Sequence, residues 1–300
     1  MASGERCRKR AVARYVPPSH KGNAATGSEM SKLSISKAWE ETTHVVSHDG
    51  KLITSVALAL FVLPQSISGA IAPPPTLSGA NPPSWMPLVM LAVGILSIAG
   101  EIAIVRLALG RTSVGEAIAH GARRVVPTFA ALVLVVLALG IVLIPVMVLI
   151  AGSGGLESLA TSQPTPDAGK AVLVALIMCL FAAPRFQMMI PTAAGEAGGP
   201  IHLIRRGWQL ADGVYWKLLG FLVLTLISAI VVVLFVGQIM VGIVVRTMFG
   251  TVHPFSIGAL VAALLTSAVS AAFAATFSVI LGRIYTQLSG RKGSVPSSGT

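Results

Sequence analysis

Six stretches of this chain are each apolar for about 20 residues, the length a helix needs to cross a bilayer. They cover about residues 52–71, 86–109, 126–151, 171–191, 218–245 and 255–285. Only 11% of residues are charged and 54% are hydrophobic, whereas a soluble domain carries about 25% charged residues. Most of the chain therefore cannot face water. The expected fold class is all-α: a polytopic membrane protein of six transmembrane helices, paired as three hairpins. The fifth and sixth runs exceed the minimum, so tilt or extension past the hydrocarbon is expected. Pro64, Pro145 and Pro184 fall inside runs, where neighbouring helices tolerate a kink. In the sixth run Ser267, Ala271 and Ala275 recur every fourth residue. Small residues so spaced let backbones approach, which puts this face against other spans.

Connector charge orients the chain. The connector Ala72–Trp85 has no Lys or Arg, Gly152–Lys170 has only Lys170, and Arg246–Pro254 has only Arg246. The other 20 of the 22 basic residues fall on the opposite side, which by the positive-inside rule is the cytoplasm, with both termini there. Residues 1–29 are basic, aperiodic and without an apolar signal-peptide core. They read as a disordered tail or a mis-assigned start ahead of Met30, and residues 290–300 as a disordered tail. The membrane domain spans 30–289.

A repeat precedes the odd-numbered spans: "ISKAWEETTHVVSHDGK" from Ile35, "VGEAIAHGARRVVP" from Val114 and "IRRGWQLADGVYWK" from Ile204. In register, Lys37, Glu116 and Arg206 coincide, then Ala38, Ala117 and Gly207, then Trp39, Ile118 and Trp208. Around the third copy, Ile201, Ile204, Trp208, Ala211 and Tyr215 make a helical apolar stripe. His202, Arg205, Arg206, Gln209 and Asp212 take the other face. Such a helix suits the headgroup boundary, where Arg meets phosphate and Trp sits at the interface. The expected unit is a cytoplasmic interfacial amphipathic helix followed by a hairpin, used three times. Lys37, Trp39, Arg123, Arg124, Arg205, Arg206, Trp208, Trp216 and Lys217 are the expected headgroup contacts.

The segments "GPIHLIRRGWQLADGVYWKLLG" and "SISKAWEETTHVVSHDGKL" resemble the six-span bacterial proteins of the glycerophosphoryl diester phosphodiesterase membrane-domain family, over about Met30 to Ser289. That family's membrane part is sometimes fused to a catalytic phosphodiesterase barrel, which uses His and Glu with a divalent metal. The polar remainder here is too short for that barrel, and "SHDGK" at Ser47–Lys51 does not match its His-Arg-Gly and Glu-Asn sequences. The resemblance implies a membrane domain without the enzyme.

Other chemistry is sparse. Glu101 and Arg185 lie within spans near their cytoplasmic ends, and Arg106 follows close by. Charges in the membrane are expensive, so they pair or line a polar path. A Glu101–Arg185 or Glu101–Arg106 pair is expected, structural if the arginines snorkel to the interface and functional if Glu101 gates a proton or solute. His44 and His48 share a helix face but lack a third ligand, and zinc sites need three or four. The glycines of "AGEAGGP" (194–200) lack the Lys-Ser/Thr of a phosphate loop and read as a flexible turn. The serines of "TFSVI" and "TSQPT" have no G-x-S-x-G frame. Cys7 and Cys179 form no disulfide or thiolate pattern. No cofactor or metal is implied, and positive charge beside a bilayer is explained by anionic lipid without nucleic acid. The expectation is a non-enzymatic protein of the bacterial inner membrane with a lipid-associated organising or regulatory role, working alone or on a membrane partner. The competing class is a permease or exporter of a small amphiphilic or lipid-like solute. A polar cavity around Glu101 and Arg185 favours transport; a closed Ala/Ser core favours the first.

Overall fold

The structure, a computed structural model, describes residues 33–72, 83–110, 112–160, 166–250 and 252–290. The two tails, most of the first connector and part of the second lie outside these residues. Of the described residues 89% are helical, and none lies in a strand. Its elements are α1 (Ile35–Ala57), α2 (Leu63–Ile71), α3 (Met86–Leu109), α4 (Val114–Ala160), α5 (Pro166–Gln187), α6 (Met189–Gly195), α7 (Pro200–Ala211), α8 (Tyr215–Ala229), α9 (Val241–Phe249) and α10 (Ile257–Leu288). π-helical turns join α1 to α2 (Leu58–Val62) and α8 to α9 (Ile230–Met240). Six helical rods, α1–α2, α3, α4, α5–α6, α8–α9 and α10, are long and apolar enough to cross a membrane. The protein is an all-α polytopic membrane protein.

The two π segments have different settings. Pro64 lacks an N–H, and its ring would strike the carbonyl four residues back. Widening just before it, with Leu63 N–H reaching Leu58 O, absorbs the misfit without breaking the rod. The second π segment contains no proline. There the Thr266 hydroxyl of α10 donates to Gly237 O at 2.8 Å, supplying from a neighbouring span a partner that lipid cannot offer.

α3 and α10 are the centre. α10 packs on α1–α2, on α3 and on the α8–α9 rod, while α3 also carries α4 and α6. Lipid tails are as apolar as leucine, so close packing rather than water exclusion joins spans. Accordingly Ala259, Ala262, Ser267, Ala271 and Ala275 of α10 are buried, the last three as the spacing predicts. A Cβ built on Gly69 of α2 would stand 3.0 Å from that of Ala263. One cluster joins Val45, Val56 and Phe61 to Ile104, Leu107, Ala271 and Val279. By contrast, only 6% of the apolar window is buried in each of the third and fifth spans, so these face lipid almost all round.

The repeat survives as a packing position more than as a separate helix. Ala38, Ala117 and Gly207 are all buried. In the third copy a Cβ at Gly207 would come within 3.2 Å of Arg185 O. Only this third copy is a distinct interfacial helix, α7. The first two run unbroken into their spans as α1 and α4, which corrects the threefold unit. The dipeptide Asp-Gly has opposite outcomes in the first and third copies. At Asp212–Gly213 the glycine takes φ 81° and the chain turns. At Asp49–Gly50 the helix continues, because Val45, Ile53 and Val56 on either side pack into one cluster and tertiary contact outweighs glycine's weak helix propensity.

Candidate functional site: the basic end of the bundle

Glu101 joins neither Arg106 nor Arg185 by an ion pair or hydrogen bond among the described residues. Arg106 Nη1 donates to Ala194 O at 3.2 Å, and the Arg185 guanidinium lies over the Trp208 ring, 4.0 Å from its centroid. The expected pair is corrected on geometric grounds. Five residues along a helix turn the side chain about 140° away, so Glu101 and Arg106 leave α3 on different faces. Arg185 is drawn instead to aromatic faces, which attract a guanidinium when it is partly stripped of water.

The segment after α6 is where charges converge. "AGEAGGP" is helical through Gly195 and then pinned at successive points, not the flexible turn its glycines imply. Glu196 accepts from Tyr285 Oη of α10 at 2.8 Å and from Arg206 Nε of α7 at 3.2 Å. Arg106 of α3 holds Ala194 O, and Arg124 of α4 holds Gly198 O at 3.1 Å. The Tyr285 ring leans on Gly195, where a Cβ would be 2.8 Å from the ring. His202 lies against Gly198. Four helices thus grip one short connection, and its central anion is supplied by the chain itself. That fits a latch better than a phosphate loop.

Burial alone raises the Glu196 carboxyl, but hydrogen bonds from Tyr285 and Arg206 and the Arg206 charge outweigh it and hold the group below its ordinary 4.5. A depressed carboxyl stabilises the fold above the unfolded-state pKa and loses that contribution as pH falls through the folded one. Glu196→Gln is therefore expected to lower thermal stability at neutral pH, by about 1 kcal/mol. The gap to wild type should close in acid, once the wild-type carboxyl is protonated as well. Melting of the detergent-solubilised proteins across pH checks this, and a gap that persists in acid excludes the linkage.

The expected headgroup contacts divide into three groups. Lys37, Trp39, Arg123, Arg205, Trp208 and Trp216 are exposed, with Lys37 only 3.9 Å from Glu41, a surface pair of small energetic consequence. Arg124 and Arg206 turn inward to the protein acceptors just described. Lys217 is exposed yet donates through Nζ to Leu33 O at 3.1 Å, tying the start of α8 to the start of α1. On α7 the stripe facing the protein is Leu203, Gly207, Leu210 and Ala211. Ile201 and Trp208, read as its apolar face, are exposed and available to lipid.

Sequence reasoning missed several polar residues here. Tyr285 is fully buried, and Arg283, 6% exposed, faces the charges of Glu41 and Asp49. Both amide atoms of Gln187, together with His120 Nε2 and Arg283 Nε, are buried without a partner among the described residues. The one legible signal was polar residues near the ends of apolar runs. Of the histidines, His48 pairs with Asp49 at 2.9 Å, and no cluster of three metal-ligating side chains occurs among the described residues.

A family profile described as Domain of unknown function (DUF7847) matches residues 33–288. No curated protein and no solved structure matches the chain.

Proposed function

We propose, for a chain that belongs to the DUF7847 family, a non-enzymatic role at the bacterial inner membrane, organising lipid or regulating an associated membrane protein. The basic end faces the cytoplasm in this reading, with both termini there, and meets anionic headgroups. Kinship with the glycerophosphoryl diester phosphodiesterase membrane domain, without its enzyme, is part of the same proposal. The observation that carries it is the set of exposed cations and tryptophans at one end of the bundle, namely Lys37, Trp39, Arg123, Arg205, Trp208 and Trp216. Trp at the interface beside Lys and Arg is the arrangement that anchors a protein among anionic headgroups. The close Ala/Ser packing of α10 supports a scaffold over a conduit.

The proposal predicts that, in vesicles, tryptophan emission is quenched more strongly by brominated phosphatidylglycerol than by brominated phosphatidylcholine. Replacing Lys37, Arg123 and Arg205 together by Gln should remove most of that preference, since each cation near an anionic surface contributes about 1 kcal/mol. Equal quenching by both lipids in the wild type would end this reading. One observation favours the permease alternative. Gln187 keeps both amide atoms buried and unpartnered, and a buried amide requires water or a polar ligand. Solute flux through vesicles that is lost on Gln187→Leu would turn the assignment to transport.

A further inference from the structure

Arg185 carries a positive charge to which the described protein offers no counterion. It ends α5 at the basic end of the bundle, where α5 meets α7 and the start of α8. Its guanidinium is stacked 4.0 Å from the Trp208 centroid and lies 5.6 Å from that of Tyr215. Phe186 meets the Trp208 ring edge-on at 6.0 Å, and Tyr215 meets Trp216 the same way at 5.4 Å. Tyr215 Oη donates to Phe181 O at 2.7 Å, which locks α8 to α5 beside the stack. Ring faces attract a guanidinium but accept none of its N–H groups in hydrogen bonds, and no acceptor for them occurs among the described residues. The acidic groups nearest in sequence do not serve it, since Glu196 is committed to Arg206 and Tyr285 and Asp212 is exposed in the turn. A planar cation seated at a ring face, its N–H groups without an acceptor among the described residues, suits two oxygens of a phosphate, which guanidinium binds bidentately.

The exposed apolar surface of the two helices that meet here selects the source of the phosphate. Ile177 and Phe181 on α5, and Leu224 and Ile227 on α8, are exposed apolar side chains on the two helices locked together there. A free anion has no use for such walls, whereas an acyl chain does. We propose that Arg185, held by Trp208, is a specific site for the phosphate of one membrane phospholipid, whose chains lie along α5 and α8. This rests on the lipid-contact reading above but assigns it a single stoichiometric site distinct from the exposed cations. It also explains why Arg185 does not pair with Glu101: its partner comes from the bilayer.

The test is native mass spectrometry of the full-length chain in mild detergent, with added phosphatidylglycerol, phosphatidylcholine or diacylglycerol. One phospholipid of either headgroup should stay bound per chain, and diacylglycerol, which lacks phosphate, should not. Arg185→Gln should weaken retention about tenfold or more, and Arg185→Lys, which keeps the charge but loses the fork, by less. Trp208→Phe, which weakens the stack, should fall between wild type and Arg185→Gln. The Lys37, Arg123 and Arg205 triple variant should keep its single lipid even if bulk anionic preference is lost, so the two readings fail separately. Undiminished retention by a well-folded Arg185→Gln, or equal retention of diacylglycerol, overturns the site. Displacement of the lipid by inorganic phosphate alone assigns the site to a free anion and overturns the lipid source.

Discussion

Gly121→Val is expected to destabilise the bundle by about 3 kcal/mol or to prevent its assembly, at the top of the range for inserting methyl groups into packed interiors. Gly121 lies in the first turns of α4, one turn after the buried Ala117. A Cβ there would collide with the carbonyl oxygen of Ala99 on α3 and approach Ala103 Cβ at 3.4 Å. A side chain can rotate away from such a collision, but Ala99 O belongs to the backbone of α3. α3 in turn carries α1, α4, α6 and α10, so it cannot shift without disturbing all of them. Gly140→Val is the matched control, because Gly140 lies on the same helix with nothing within 4 Å of its Cβ position. The retained monodisperse fraction after heating in mild detergent distinguishes the two. Similar melting of both variants would show that the α3–α4 approach is not what holds them together.

Phe61→Ala carries an expected loss of similar size, within the range of about 3–5 kcal/mol for emptying a buried aromatic site. The ring is 2% exposed and lies in the π turn that accommodates Pro64. It packs over Gly100 of α3, where an added Cβ would stand 2.8 Å from its Cε2 atom. In lipid the deleted ring forfeits packing contacts rather than exclusion from water, which places the cost toward the lower end of that range. The pair also predicts coupling. Gly100→Ala should destabilise wild type by overpacking and cost much less in the Phe61→Ala background, where the hole is empty. Contacting residues give such non-additivity of about 0.5–3 kcal/mol. Simple addition of the two losses would mean the ring and glycine do not share space.

Much of the scaffold was legible because its cause is local. The run at 86–109 is the helix Met86–Leu109, since an uninterrupted apolar stretch leaves the backbone no partner but itself. The face Ser267–Ala271–Ala275 is buried because small side chains are what one helix can press against another without water's help. The candidate site was legible only as a set of residue types. That Arg206 and Tyr285 meet Glu196, the latter across 89 positions, depends on how α7 and α10 are rotated about their axes, which no local period records. The pair of Glu101 with Arg106 or Arg185 fails for the same reason. Proximity in sequence or in depth does not state which way a side chain leaves its helix, or that an indole 23 positions from Arg185 offers a closer seat.

The sequence by itself therefore determined the class, the number of spans and the sidedness of charge, because hydropathy and connector composition act segment by segment. The tertiary structure alone decided where each polar side chain ends. Asp49–Gly50 stays helical with Val45, Ile53 and Val56 packed around it, whereas Asp212–Gly213 turns with Leu210, Ala211 and Leu218 packed into a different cluster, so local sequence does not separate the two. Arg124 and Arg206 face inward to acceptors that stand there, and Arg185 sits over the Trp208 ring with no acceptor among the described residues.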